Sequence, residues 1–253
     1  MTAREKYRSY RHRRAVLPGP EKGRDGTRMS DSDRDRIRTM MDGAPPLRWV
    51  FTGDSITHGA LHTYGWRDYT ELFSERLRYE MGRRRDMVIK TGISGWTINR
   101  IEEDLEWNVL QFTPHVVSIK VGTNDCVRED GDVDSFRETY RGVIDEIRSR
   151  CDSALILHTP NDSLVTDGKE RAGKLGPYVE AVRDLAAEKD TVLVDHYAFW
   201  HDPEKAGALH HWIGHGCHPN EYGHRTLARQ LFLELGMWDG KSETCRLFIP
   251  GLG

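Results

Sequence analysis

The chain is 253 residues long, with 37 Lys and Arg against 40 Asp and Glu, 37% apolar residues and a mean hydropathy of −0.67. That length supports one domain with a sizeable core. No run approaches the roughly 18 consecutive apolar residues of a membrane span, and the first residues lack the apolar stretch of a secretory signal. Both features argue against a membrane protein and a classically exported one, and lead to the expectation of a cytoplasmic setting.

Charge is uneven along the chain. Met1 to Arg28 carries nine Lys/Arg and three Asp/Glu, or +6, which leaves −9 for the remainder of a chain whose net charge is −3. Pro and Gly interrupt this leader where a helix needs continuity, so it reads as a basic, flexible, solvated arm rather than a nucleic-acid-binding module. Met29 opens a second candidate start. Ser30 to Asp42 predicts a short charged helix capped by Ser30 or Asp31 and ended by Gly43-Ala44-Pro45-Pro46. The expected organisation is an arm with its helix over residues 1–44, a folded body over 45–238, and a tail of uncertain order over 239–253.

Within the body, five short apolar runs recur at intervals too long for hairpins: Leu47 to Phe51, Met87 to Ile89, Val116 to Val121, Ala154 to Leu157 and Thr191 to Val194. Mostly β-branched and without sustained alternation, they predict strands covered on both faces. Helical spacing separates them over Trp66 to Met81, Ile98 to Phe112, Val133 to Ser149 and Tyr178 to Ala187, and a last helix follows from about Asn220 to Leu235. In the third of these, Phe136, Tyr140, Val143, Ile144 and Ile147 fall on one stripe. The alternation predicts an α/β fold with a parallel sheet and helices on both sides, whose ligand site lies at the edge where strands end.

The four cysteines Cys126, Cys151, Cys217 and Cys245 show no CxxC pair and read as reduced packing residues. Seven of the twelve histidines fall between His196 and His224, but their intervals match no ligand pattern and there is no HExxH, so neither a metal nor any other cofactor is expected.

Chemistry concentrates just past strand ends. The first strand runs into Gly53-Asp54-Ser55-Ile56-Thr57-His58-Gly59, which can present a serine hydroxyl near a helix N-terminus. Taken alone, this segment reads equally well as a helix cap. Loops containing Gly95 and Asn124 follow the second and third strands and supply what a developing oxyanion requires, a closely approached backbone N–H and a side-chain amide. Asn124-Asp125 in isolation is also an ordinary turn. Near the C-terminus, Pro219 holds His218 extended, where it can reach back as a base for Ser55.

In order, GDSITHG, GISGWT, VGTND and HPNEYGH resemble the four blocks of the SGNH (GDSL-type) hydrolases over Val50 to His224. The resemblance implies a flavodoxin-like, five-stranded three-layer α/β/α sandwich. It also implies acyl hydrolysis or transfer, with Ser55 as nucleophile, His218 as base, and the Ser55 N–H, Gly95 and Asn124 as the oxyanion hole. One position departs from the pattern: the family's Asp three residues before the histidine is His215 here. Loss of such an acid costs roughly 10⁴-fold in serine proteases. A backbone carbonyl or water could orient His218, a carboxylate elsewhere could substitute, with Asp195 the first candidate, or the protein could be slow or inactive.

Aromatic residues Tyr64, Trp66, Trp96, Phe199, Trp200 and Trp212 gather near the same edge. Trp66 and Trp96 start helices and are expected to pack on the sheet, whereas Trp200 and Trp212 are the candidates for substrate contact. His58 and His62 follow the nucleophile turn and are further candidates. The expected activity is a cytoplasmic serine esterase removing a small acyl group such as acetyl from a polar, carbohydrate-like small molecule, without membrane or nucleic-acid partners. An acyltransferase using the same acyl-enzyme and a non-catalytic binding protein of the same fold are the alternatives.

Overall fold

The computed structural model describes residues 32–59, 63–129, 131–164, 169–202 and 207–252. The basic leader, the predicted caps Ser30 and Asp31, and His62 lie outside them. Five parallel strands, β1 (Arg48–Gly53), β2 (Met87–Lys90), β3 (Val116–Lys120), β4 (Ala154–His158) and β5 (Val192–Val194), form a sheet of order β2-β1-β3-β4-β5. This is the flavodoxin-like order, in which the chain reverses direction of travel across the sheet beside β1. Register is continuous through the centre, with Val50 opposite Val117 and Ser118 opposite Ile156.

Alternate residues of each strand feed two separate cores. Trp49, Phe51, Ile156 and Val194 face one layer, built from α1 (Asp33–Asp42), α3 (Tyr69–Glu75) and α10 (Glu221–Glu234) through Ile37, Phe73 and Leu231. Val50, Val117, Ile119, Leu155 and Leu157 face the other, built from α4 (Ile98–Glu103), α5 (Leu105–Asn108), α6 (Val133–Cys151) and α7 (Arg171–Glu188). The predicted stripe on α6 is buried residue for residue. The result is a three-layer α/β/α sandwich.

Three local departures from the sequence expectations have physical causes. Helix α7 begins at Arg171, seven residues before the predicted Tyr178, and carries Pro177 inside it. Interior proline normally breaks a helix; here Arg171 Nε anchors the first turn by donating to the Thr123 carbonyl at 2.9 Å, and Leu175 and Val179 on either side of the proline are buried in the core. Helix α1 packs into the body, because buried Asp33 accepts hydrogen bonds from Arg148 and from the Leu155 N–H. The segment beyond Asp239 also packs: Ser242 and Thr244 donate to Glu80, Trp212 Nε1 donates to the Pro250 carbonyl, and Cys245 and Ile249 join the core. Among the described residues no helix is long and apolar enough to cross a membrane.

Candidate active site

Strand β1 delivers Ser55 to the C-terminal edge of the sheet as the first residue of the one-turn helix α2 (Ser55–His58). Asp54 caps that turn, its Oδ1 accepting the Ile56 N–H at 2.9 Å. As first residue of a helical turn, Ser55 has no intrahelical acceptor for its own N–H. The residue is 6% exposed, and Oγ lies 2.8 Å from His218 Nε2.

His218 arrives on a two-strand hairpin, β6 (Ile213–His215) and β7 (His218–Pro219), in which His215 and His218 are paired across the turn. Asn220 then caps α10, accepting from the Tyr222 and Gly223 N–H groups and donating to the His211 carbonyl, so the histidine is held between a hairpin and a helix start. The second ring nitrogen, Nδ1, is 3.3 Å from the His215 backbone oxygen and 3.8 Å from Cys217 Sγ. A proton on Nδ1 donated to that carbonyl leaves the Nε2 lone pair facing Ser55, which is the tautomer a base requires. The His215 ring, 6.5 Å from the His218 ring between centroids, contributes through its main chain.

Asp195 sits elsewhere. Its carboxylate caps α8 (His196–Trp200) through the Ala198 N–H, accepts from Thr159 Oγ1 at 3.2 Å and pairs with Arg183 at 2.8 Å. The strand-end position is as expected, but its bonds go to helix capping and Arg183 instead of to His218. Trp200, which ends α8, and Trp212, which ends α9 (Leu209–Trp212), also move from the site to the core: they are 1% and 0% exposed and pack edge to face on each other. Trp66, expected to pack, is 57% exposed.

The loop after β2 packs directly on α2. A Cβ on Gly92 would lie 2.7 Å from Thr57 Cβ, so only glycine permits that approach. Two residues on, the Ser94 N–H donates to His58 Nδ1 at 3.3 Å, with Ser94 Oγ 3.1 Å from the same nitrogen. Gly95 follows with φ +83°, exposed at the loop tip. After β3, Asn124 Nδ2 donates one hydrogen to the Trp96 carbonyl at 3.0 Å, tying its amide to the Gly95 loop. Buried Asp125 completes the frame by accepting from the Ile98 N–H at 2.8 Å and the Gly122 N–H at 2.9 Å; burial raises its pKa to about 6.

Beneath the site lies a polar layer that the motifs did not reveal. Lys120 is fully buried and donates to Asn161 Oδ1 at 3.0 Å; Asn161 in turn donates to the Cys217 carbonyl, linking the end of β3 to the histidine hairpin. Burial lowers the Lys120 pKa to about 8 against the opposing attraction of Asp54, and burial likewise raises the pKa of Asp54. Alongside, Ser118 Oγ lies 2.7 Å from His158 Nε2, and His158 Nδ1 lies 2.9 Å from His196 Nε2. Burial pushes both histidines well below their usual range, so they are neutral. The one available signal was a serine and a lysine, Ser118 and Lys120, inside the otherwise apolar run Val116 to Val121.

A serine hydroxyl bonded to an imidazole at the C-terminal edge of a flavodoxin-like sheet places the molecule among the α/β/α hydrolases. More particularly, the chain belongs to the GDSL-like Lipase/Acylhydrolase family, whose profile matches residues 51–226. It is similar to the acetylxylan esterase of Geobacillus stearothermophilus, with 28% identity over 211 residues that cover 74% of this chain and 93% of that protein. A solved structure of an acetylxylan esterase variant from the same organism is 26% identical, with a TM-score of 0.63, covering 78% of this chain and 97% of its own. A GDSL-like protein from Parabacteroides merdae ATCC 43184 shares the fold with a TM-score of 0.69 at 20% identity, covering 78% and 99%. The protein is thus a hydrolase of ester bonds.

Proposed function

We propose that the protein is a serine esterase that removes a small acyl group, acetyl in the simplest case, from a polar, carbohydrate-like molecule. The observation that carries this reading is the 2.8 Å contact between Ser55 Oγ and His218 Nε2. Ser55 Oγ attacks the ester carbonyl while His218 Nε2 takes the hydroxyl proton. The oxyanion is met by the Ser55 N–H, the Gly95 N–H and the second hydrogen of the Asn124 amide. Collapse breaks the bond to the leaving oxygen, which receives the proton from His218 and departs as an alcohol. Water, deprotonated by the same nitrogen, then attacks the acyl-serine; breakdown releases the carboxylic acid and restores Ser55.

The carbohydrate preference rests on the acetylxylan esterase relative. Labelling with an active-serine phosphonate tests the nucleophile. Stoichiometric labelling of the wild type, abolished in Ser55→Ala, is the expected result; a folded wild type that resists the reagent would overturn the assignment. Release of acetate from acetylated sugars against esters of longer acids tests the acyl group, with chain-length preference for hexanoate or above counting against it.

A further inference from the structure

With Trp200 and Trp212 buried, the aromatic surface beside the site has a different source. The tight turn Thr63-Tyr64-Gly65-Trp66 is closed by the Trp66 N–H donating to the Thr63 carbonyl at 2.9 Å, and its two central residues both have positive φ, +49° at Tyr64 and +86° at Gly65. Two positive φ values are the signature of a type I′ turn, whose first central position favours Asn, Asp or Gly. Tyrosine there is disfavoured, since the left-handed region crowds its Cβ against the following carbonyl. An unfavourable backbone retained in an exposed turn points to a use for its side chain.

The side chain is not recovering that cost by burial, for Tyr64 is 70% exposed. Its location is specific. A Cβ built on Gly214 would lie 3.6 Å from Tyr64 Cε2, and Gly214 is the middle residue of β6, between the residues paired with Pro219 and His218. Gly214 bears no side chain, which lets the ring approach the hairpin that carries the base. The ring therefore lies against the hairpin that carries the base, in a turn closed by its own hydrogen bond, and is open to solvent over most of its surface.

We infer that Tyr64 is a binding platform for a pyranose ring of the substrate, stacking on its face of C–H groups while the acyl ester reaches Ser55; this rests on the carbohydrate-ester reading above. One face of a pyranoside is largely C–H and carries the partial positive charge that an aromatic face attracts. An acyclic ester of a small alcohol has no such face and gains nothing from the ring. The platform thus sets specificity and takes no part in bond breaking.

The test compares wild type, Tyr64→Phe, Tyr64→Ala and Tyr64→Asn on two substrates, an acetylated methyl pyranoside and ethyl acetate. Tyr64→Ala and Tyr64→Asn are expected to lower kcat/KM for the pyranoside by about tenfold, mainly through KM, while ethyl acetate turnover stays within twofold and Tyr64→Phe retains the preference. Relief of the left-handed tyrosine should meanwhile raise the Tm of Tyr64→Asn by about 2–4 °C. An unchanged substrate ratio in Tyr64→Ala, or a Tm drop in Tyr64→Asn that marks the ring as a packing element, would overturn the platform alone. A wild type that cleaves ethyl acetate but no acetylated sugar would overturn the carbohydrate reading and the platform together.

Discussion

His218 Nδ1 is 3.3 Å from the backbone oxygen of His215, the residue that stands where an acid would be expected to orient the base. A neutral carbonyl fixes the tautomer but lends less stabilisation to the imidazolium formed during attack than a carboxylate does. Removing the His215 side chain leaves the carbonyl in place. His215→Ala should therefore keep kcat within about threefold, whereas His218→Ala loses about 10³-fold or more. Conversely, His215→Asp restores a charged acceptor and should raise kcat about tenfold. Steady-state kinetics decide it, and a His215→Ala loss comparable to that of His218→Ala would show that the ring itself acts.

The amide of Asn124 is held by its bond to the Trp96 carbonyl, and in the proposed mechanism its second hydrogen meets the oxyanion. Asn124→Ala should lower kcat by about 10²–10³ with KM little changed, as expected for a donor whose bond strengthens only in the transition state. A change confined to KM would place Asn124 in ground-state binding.

Much of this geometry was legible in the chain. The five strands announced themselves because a strand buried on both faces reads as a continuous apolar run, and Ser55, Gly95, Asn124 and His218 lie in turns whose glycines and prolines mark strand ends. What stayed hidden depends on packing between distant segments. Trp200 and Trp212 sit among charges and histidines in sequence yet are covered by α10 and the C-terminal segment, while Trp66 looked like a helix start and is exposed. Asp195 followed a strand as a site residue would, but Arg183, one face of α7, claims it. Pro177 hid the first turns of α7 because local propensity opposes a helix that tertiary contacts then stabilise. Lys120, buried against Asn161, carries no local mark beyond its apolar neighbours.

His58 Nδ1 accepts from Ser94, one residue before Gly95, so on the proposed mechanism His58 positions the loop that supplies the Gly95 N–H and is not itself expected to touch the ester. In His58→Asn the side-chain oxygen can occupy the place of Nδ1, whereas in His58→Gln the acceptor is displaced by one carbon. Asn should retain kcat within about threefold, and Ala and Gln should each lose about tenfold, the cost of one loosened oxyanion donor being bounded by its full removal. If Asn and Ala behave alike, the hydrogen bond to Ser94 is not the reason the histidine is there.

His224 is buried, stacks parallel to Tyr69 and accepts the Tyr69 N–H on Nδ1 at 3.3 Å. Desolvation lowers its pKa from 6.5 to about 4, against the opposing attraction of Asp68. A histidine with a lowered folded pKa binds fewer protons folded than unfolded, so stability falls as pH drops below 6.5 and continues to fall until about 4. At pH 5 this single group removes about 2 kcal/mol relative to neutral pH. His224→Asn keeps an acceptor for the Tyr69 N–H without the titration, so the stability difference between wild type and variant should shift by that amount in favour of the variant between pH 7 and pH 5. Urea midpoints at the two pH values measure it, since Asp125, whose raised pKa acts in the opposite sense, is common to both proteins and cancels. A pH-independent difference would mean that His224 takes up its proton while folded as readily as in the unfolded chain.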